Sequence, residues 1–300
     1  MKTKRLSILS LAVLGALSGP SMACAVSILG SAADFAILGG SMVSNVPTST
    51  ISGSVGVWSS GGANAITGFN FTPGVAVSDP QVTNGLVHAG TTTAQFAQAD
   101  LTNSFISLGY LSTASTLAPV DLAGLTLAPG VYTVPAGVSN LTGALTLDGG
   151  GNINAAWIFL MESSLITSPN SSVNVINTGS GAGIFWNVPS SATLDTSTTF
   201  QGNILALTSI TLNTGARIGC GRALASTGGV TLQGNTVTTG CDASTGGFGS
   251  NGFGGGLSVE HGGGMPTFLP PSAVPLPAAF PLLGAGLLGL VAVGRRRNPA

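Results

Sequence analysis

The chain has 300 residues, of which 6% are charged and 6% aromatic, with 46 glycines. It is too apolar for a disordered chain and too poor in Leu and Lys for a helical bundle; small β-compatible residues punctuated by glycine favour a mostly β architecture. Six of the eight basic residues (Lys2, Lys4, Arg5, Arg295, Arg296, Arg297) stand at the chain ends, so the body sets two arginines against nine acids, a net of −7, which excludes the electrostatic footprint of a nucleic-acid binder.

Met1–Ala25 reads as a secretory signal. Its basic start precedes an apolar run from Leu6 to Leu17, a Gly-Pro break, and Ala23-Cys24-Ala25, which fits an A-x-A cleavage site. The alternative is a lipoprotein acylated at Cys24, although Ser21 stands where a lipobox usually has Leu. Cleavage after Ala25 leaves Cys220 and Cys241, and export permits them to form a disulfide or to remain free thiols.

The body is expected at 26–242. One segment reads as helix: residues 79–111 place Leu86, Phe96, Leu101, Phe105 and Leu108 at three- to five-residue steps. Asp79-Pro80 suits the start of that helix and Gly109 its stop. The remainder reads as short strands carrying a repeat. A triplet with central Leu recurs as TLA at 126, TLD at 146, SLI at 164, TLD at 193, TLN at 211 and TLQ at 231. A period near 19 matches one turn of a β-solenoid with three strands per coil, stacked at about 4.8 Å.

Three ladders follow. One holds WIFLM, IFWNV, ILAL and ALAS, apolar on consecutive residues, so both sides should be covered, the outer one by the helix. The second holds the triplets, with Leu127, Leu147, Leu165, Leu194, Leu212 and Leu232 inward. The third, irregular, holds VNVIN, TFQGN, RIGCG and NTV. Cys220 and Cys241 lie close to one coil apart, which predicts adjacent rungs within disulfide reach.

Residues 243–273 are expected to be a Gly- and Pro-rich spacer that tethers without folding. The last segment, 274–300, has a VPLPA box, an apolar run from Ala278 to Gly294, at the short limit for a membrane span, and three arginines. It resembles the PEP-CTERM sorting signal of Gram-negative bacteria. That resemblance implies processing by an exosortase, membrane contact through the tail alone before processing, and a final place outside the cell or on its surface.

Catalytic chemistry is poorly supplied. The two histidines, His88 and His261, belong to no H-x-x-H motif, and neither C-x-x-C nor G-x-S-x-G occurs. His88 reads as a packing residue. Asp148 and Asp195 occupy equivalent triplet positions, which places them about 9–10 Å apart, but no sugar platform accompanies them. No metal site or cofactor is expected.

What remains is a surface. Thr126, Thr146, Ser164, Thr193, Thr211 and Thr231 form one outward file, and Ala128, Asp148, Ile166, Asp195, Asn213 and Gln233 the next. Threonine is stiff at χ1, so such an array is preorganised. It suits a regular, uncharged lattice, for which ice is the natural candidate; the plainer reading is that Thr favours exposed strands.

At this point the sequence resembles the ice-binding protein family of bacteria, diatoms and fungi over about residues 31–238. The segments that carry the resemblance are ADFAILGGSMVSN (33–45), DLAGLTLAPGVYTV (121–134), LTGALTLDGGGNINAAWIFLM (141–161), the run 185–225 and GVTLQGNTV (229–237). It implies a discontinuous right-handed β-solenoid with one long helix alongside, FAILGG docked beside the C-terminal coils, and an ice-binding site on one flat face. Some members carry a T-A/G-x-T/N motif. Thr196-Ser197-Thr198-Thr199 and Thr214-Gly215-Ala216-Arg217 match it in part, and Thr167-Ser168-Pro169-Asn170 departs at its second position.

The combined reading is a secreted, non-enzymatic, monomeric β-solenoid of triangular section. It binds ice through Thr126, Thr146, Ser164, Thr193, Asp195, Thr196, Thr211, Asn213, Thr214, Thr231 and Gln233. An adhesin or matrix protein that binds polysaccharide is the alternative.

Overall fold

The computed structural model describes residues 27–59, 65–112, 115–118, 120–242, 246–259 and 265–271. The expected leader and sorting tail lie outside these. The N-terminal third opens with a 3-10 turn (Gly30–Asp34). It continues through β1 (Phe35–Gly39), β2 (Met42–Asn45), β3 (Thr50–Ser52), β4 (Ser54–Val57), β5 (Ala65–Thr67), β6 (Ala76–Val77), β7 (Val82–Thr83) and β8 (Val87–Ala89) to helix α1 (Thr92–Gly109). Then come β9 (Ser115–Thr116), β10 (Thr126–Leu127), β11 (Gly130–Val134), β12 (Ala144–Asp148), β13 (Ala156–Met161), β14 (Leu165–Ile166), β15 (Ser172–Ile176) and β16 (Gly183–Val188). The last described elements are β17 (Ala192–Leu194), β18 (Thr199–Ala206), β19 (Ile210–Leu212), β20 (Arg217–Ala225), β21 (Val230–Leu232), β22 (Thr236–Thr238), β23 (Leu257–Ser258) and β24 (Thr267–Phe268).

The molecule is mostly β with one helix among the described residues, and its strands stack in three ladders. A covered ladder runs β8-β4-β1-β20-β18-β16-β13-β11-β9. A first open ladder runs β7-β3-β22-β20-β18-β15-β12-β10, and a second runs β14-β17-β19-β21-β2-β5. All the pairings along these ladders are parallel. Strands β18 and β20 serve two ladders because they bend at Gly202 (φ 103°) and Gly221 (φ 149°). A Cβ on Gly221 would collide with the Gly202 carbonyl, so only glycine permits the two bends to stack.

The order of stacking is not the order of the chain. In every ladder an N-terminal strand sits on a C-terminal one: Ile37 pairs with Ala223, Ser44 with Thr231, and Thr50 with Thr236. FAILGG is therefore docked beside the last C-terminal rungs, inserted between β20 and β4.

Between the ladders lies an apolar core. Phe159 stacks on Trp186 at 3.9 Å between ring centres, with Tyr132 and Phe200 continuing the column at 5.8 and 4.9 Å. The indole N–H of Trp186 donates to the Gln201 carbonyl (3.1 Å) and that of Trp157 to the Leu127 carbonyl (3.0 Å), so neither buried donor is orphaned. On the covered ladder alternate residues point outward, and Ile158, Phe185, Leu205, Leu224 and Leu38 form a second cluster under the helix.

The helix differs from the expected one. It starts at Thr92, with Thr91 as N-cap accepting from the Ala94 N–H, and Asp79-Pro80 is a turn in which Asp79 accepts from Asn70 and Gln81. Residues 82–83 and 87–89 are extended, with Asn84 left-handed (φ 56°) between them. Parallel neighbours β3 and β4 offer them ladder partners, which outweighs a weak helical pattern. The buried face of α1 is Ala94, Ala97, Gln98, Leu101, Ser104 and Leu108, whereas Phe96 is 61% exposed. Small residues bring the helix axis close to the sheet, and Gln98 Nε2 donates to the carbonyls of Ala225 and Ser226.

The Gly-rich segment is a second difference. Residues 246–259 pack on the body with Phe253 and Leu257 buried, and their last strand, β23, pairs antiparallel with β24. Phe248 and Val259 pack beside those two buried side chains and backbone carbonyls of the segment find partners, so this part of the expected spacer is folded.

Candidate functional site

The first open ladder presents two outward files. Ala144, Ser172, Thr199, Arg217, Thr236 and Thr50 are partners across six successive rungs. At about 4.8 Å per rung that file is about 24 Å long. Two residues along the strands, Thr126, Thr146 and Asn174 align at one end, and Thr238, Ser52 and Thr83 at the other. Between them a register shift at Phe200/Gln201 leaves Gly219 outward, so the second file is interrupted. The side chains are short hydroxyls, amides and methyls; the exceptions are Arg217, Ile176 and Asp148. Asp148 accepts from the Gly150 N–H and from Asn177 Nδ2, in that order of effect, and both hold its carboxyl below the usual range.

The second open ladder is narrower. Its central file is Ile166, Thr193, Thr211, Thr231, Ser44 and Thr67. Thr193, Thr211 and Thr231 are half-buried, and Met42 and Val46 protrude from its far end.

The two open ladders meet at a corner built from stacked left-handed residues: Asn170 (φ 61°), Ser197 (φ 58°), Gly215 (φ 70°) and Gly234 (φ 65°). Thr196, Thr214 and Gln233 face solvent there. Asn213 Nδ2 donates to Asp195 (2.9 Å), and with the Thr196 N–H holds that carboxyl below its ordinary range. Behind them, buried Ser171, Thr198 and Asn235 line the corner. Thr198 bonds Thr167 and Ser171, and Asn235 Nδ2 donates to the carbonyls of Asn213 (2.8 Å) and Ala216 (3.0 Å).

The expected single file of six is divided. Thr126 and Thr146 stand on the first open ladder, and Thr193, Thr211 and Thr231 on the second. The Thr-Leu alternation fits either open face, so the triplet does not mark which one it belongs to. Ser164 is out of register by two, because Leu165 pairs with Ala192 and Ile166 with Thr193. Thr167 then takes the inward position, buried and hydrogen-bonded to Thr198. The same slip makes Pro169-Asn170-Ser171-Ser172 the corner equivalent of Thr196-Ser197-Thr198-Thr199, instead of the segment from Thr167. Gln233-Gly234-Asn235-Thr236 is a further equivalent that the sequence pattern missed; its signal was the Gly two residues after Leu232. Asp195, Thr196, Asn213, Thr214 and Gln233 do come together, at the corner.

Asp148 closes β12 of the first open ladder, whereas Asp195 follows β17 of the second. His88 is on β8, not the helix; it is buried against Phe35 (5.3 Å) with Nδ1 bonded to Thr91 (3.1 Å), and burial lowers its pKa. Cys220 and Cys241 form a disulfide, with Cα atoms 5.4 Å apart. Among the described residues no group of three or more His, Cys, Asp or Glu side chains is placed to hold a metal, and no helix is long and apolar enough to cross a membrane.

A mostly β fold of stacked parallel rungs, with one helix alongside and two open faces of short polar side chains, defines a surface-binding class of protein. The family model described as Ice-binding-like matches residues 37–238, and the chain belongs to that family. It is 43% identical over 234 residues to an ice-binding protein of Nostoc sp. (strain HG1), covering 78% of this chain and 82% of the relative. To an ice-binding protein of Flammulina populicola it is 34% identical, covering 77% and 96%. Among solved structures, a glycosylated ice-binding protein from an Arctic yeast superposes with a TM-score of 0.62 at 30% identity, covering 72% of this chain and 94% of that one.

Proposed function

We propose that this chain adsorbs to ice without catalysis and restrains crystal growth, and that the first open face makes the contact. The observation that carries the choice of face is its breadth and exposure: it presents more than one outward file, and Ala144, Thr199, Thr50, Thr126, Asn174 and Thr83 are exposed, whereas Thr193, Thr211 and Thr231 of the second face are half-buried. Stiff side chains on a rigid ladder lose little entropy on contact and can order water into a layer that merges with a crystal plane. The corner residues Thr196 and Thr214 border this face and extend it; Thr193, Thr211, Thr231 and Asn213 belong to the neighbouring one.

The finer reading has the coils wind right-handed with triangular section. The three ladders joined in constant order and the strong preference for right-handed parallel crossovers support it. It also has residues 1–25 export the chain and the C-terminal tail pass it through an exosortase to the envelope or medium, where it acts as a monomer.

The test compares ice-recrystallisation inhibition by the full chain with that of Thr199→Tyr and Thr211→Tyr. The reading expects inhibition by the unaltered chain, loss with Thr199→Tyr and retention with Thr211→Tyr. Loss with Thr211→Tyr alone moves the site to the second face, and no inhibition by the unaltered chain removes the reading.

A further inference from the structure

Arg222 is fully buried on β20, and burial lowers its pKa to about 10, so it stays charged at neutral pH. Its guanidinium is hydrogen-bonded by oxygens from three distant segments, and the Asp34 charge favours its charged form. Nε and Nη2 donate to the Ala33 carbonyl (2.9 and 2.6 Å). Nη1 donates to Asn203 Oδ1 (2.8 Å) and to the Asn251 and Gly252 carbonyls (3.2 Å each), and Nη2 to Asn251 Oδ1 (3.0 Å). A buried cation tied in this way is costly to unpair.

The third of those segments lies beyond the family match and has further holds. Asn203 Nδ2 and the Ile184 N–H both donate to the Phe253 carbonyl. Phe253 is completely buried, Ser250 Oγ bonds Cys220, and the Cys220–Cys241 bond fixes the segment's root. Gly252 is in the left-handed region (φ 59°), and a Cβ there would run into Nη1 of Arg222.

We propose that residues 246–259 are a latch that holds the N-terminal third of the chain against its C-terminal rungs. The seam it guards is where β1, β2 and β3 stack on β20, β21 and β22. Ala33 sits two residues before β1, so the Arg222 junction pins the entry of the N-terminal rungs to the strand they pair with. The outward file of the first open face crosses the same seam between Thr236 and Thr50. The latch therefore keeps that face continuous, and Arg222 and Gly252 act on it as positioning residues. This last step rests on the proposed ice contact; the latch itself does not.

The experiment is hydrogen exchange on the full chain, unaltered and carrying Gly252→Val or the milder Asn251→Ala, with ice-recrystallisation inhibition measured on the same samples. The proposal expects amides in 246–259, β1 and β3 to exchange about tenfold faster or more in Gly252→Val, and less so in Asn251→Ala, while β12 and β15 keep their protection. Inhibition should fall in the same order. Free-chain exchange of 246–259 in the unaltered protein, or unchanged protection of β1 and β3 in both variants, would overturn the latch. An opened seam with inhibition intact overturns the coupling to the face. An unaltered chain that never inhibits removes the ice reading and leaves the latch standing on exchange alone.

Discussion

Thr236 and Thr50 are direct neighbours on adjacent rungs of the first open face, although nearly the whole family-matched body separates them in the chain. One step inward, the Asn235 N–H donates to Ser49 Oγ (2.9 Å) while its amide spans to Asn213 and Ala216. Asn235→Ala leaves two carbonyls without this donor at a buried corner. It should cost about 1–3 kcal/mol, read as a lower urea midpoint at unchanged slope.

Arg217 interrupts the file between Thr199 and Thr236 with a long, hydrated cation. Arg217→Thr completes a run of short side chains and removes a charge that an ice lattice cannot pair. Stability should stay within about 0.5 kcal/mol, as for an exposed site, while the protein concentration needed to block recrystallisation falls. A rise in that concentration would count against the first face as the contact.

The disulfide closes a loop with a sequence separation of 21 between Cys220 and Cys241. Cys220→Ser with Cys241→Ser should lower stability by roughly 3 kcal/mol, or a Tm drop on the order of 10 °C. Calorimetry with and without reductant gives the check: reductant should move the unaltered chain toward the double variant and leave the variant alone.

The pH response follows from Asp148 and Asp195. Both carboxyls have lowered folded pKa values, so their contribution is complete above the unfolded value of about 3.9 and is lost as pH falls through the lower folded value. Recrystallisation inhibition should therefore be flat from about pH 5 to about pH 9 and decline only in acid. A midpoint near neutrality would point to a titrating group on the face that this account does not contain.

Much of this fold could be read from the chain because burial on both sides leaves an unmistakable mark. WIFLM, IFWNV and ILAL could only be strands covered by a further layer, and they are. The inward leucines were equally legible, since all six are buried. The assignment of triplets to faces was not, because Thr-Leu looks the same on either open ladder and register depends on coil lengths that vary. Helix α1 hid its buried face by using Ala94, Ala97 and Ser104, while the conspicuous Phe96 points to solvent. The Gly-rich segment hid its role in the same way: its composition suggests a tether, and its function depends on where Arg222 waits for it.

The central claim is adsorption to ice through the first open face. The most direct measurement is the partition of labelled chain between slowly grown ice and the remaining liquid. The account predicts that the unaltered protein is enriched in the ice and that Thr236→Tyr, folded to the same Tm, is left in the liquid. Equal distribution of the two, whether both enter the ice or both stay out, would contradict it.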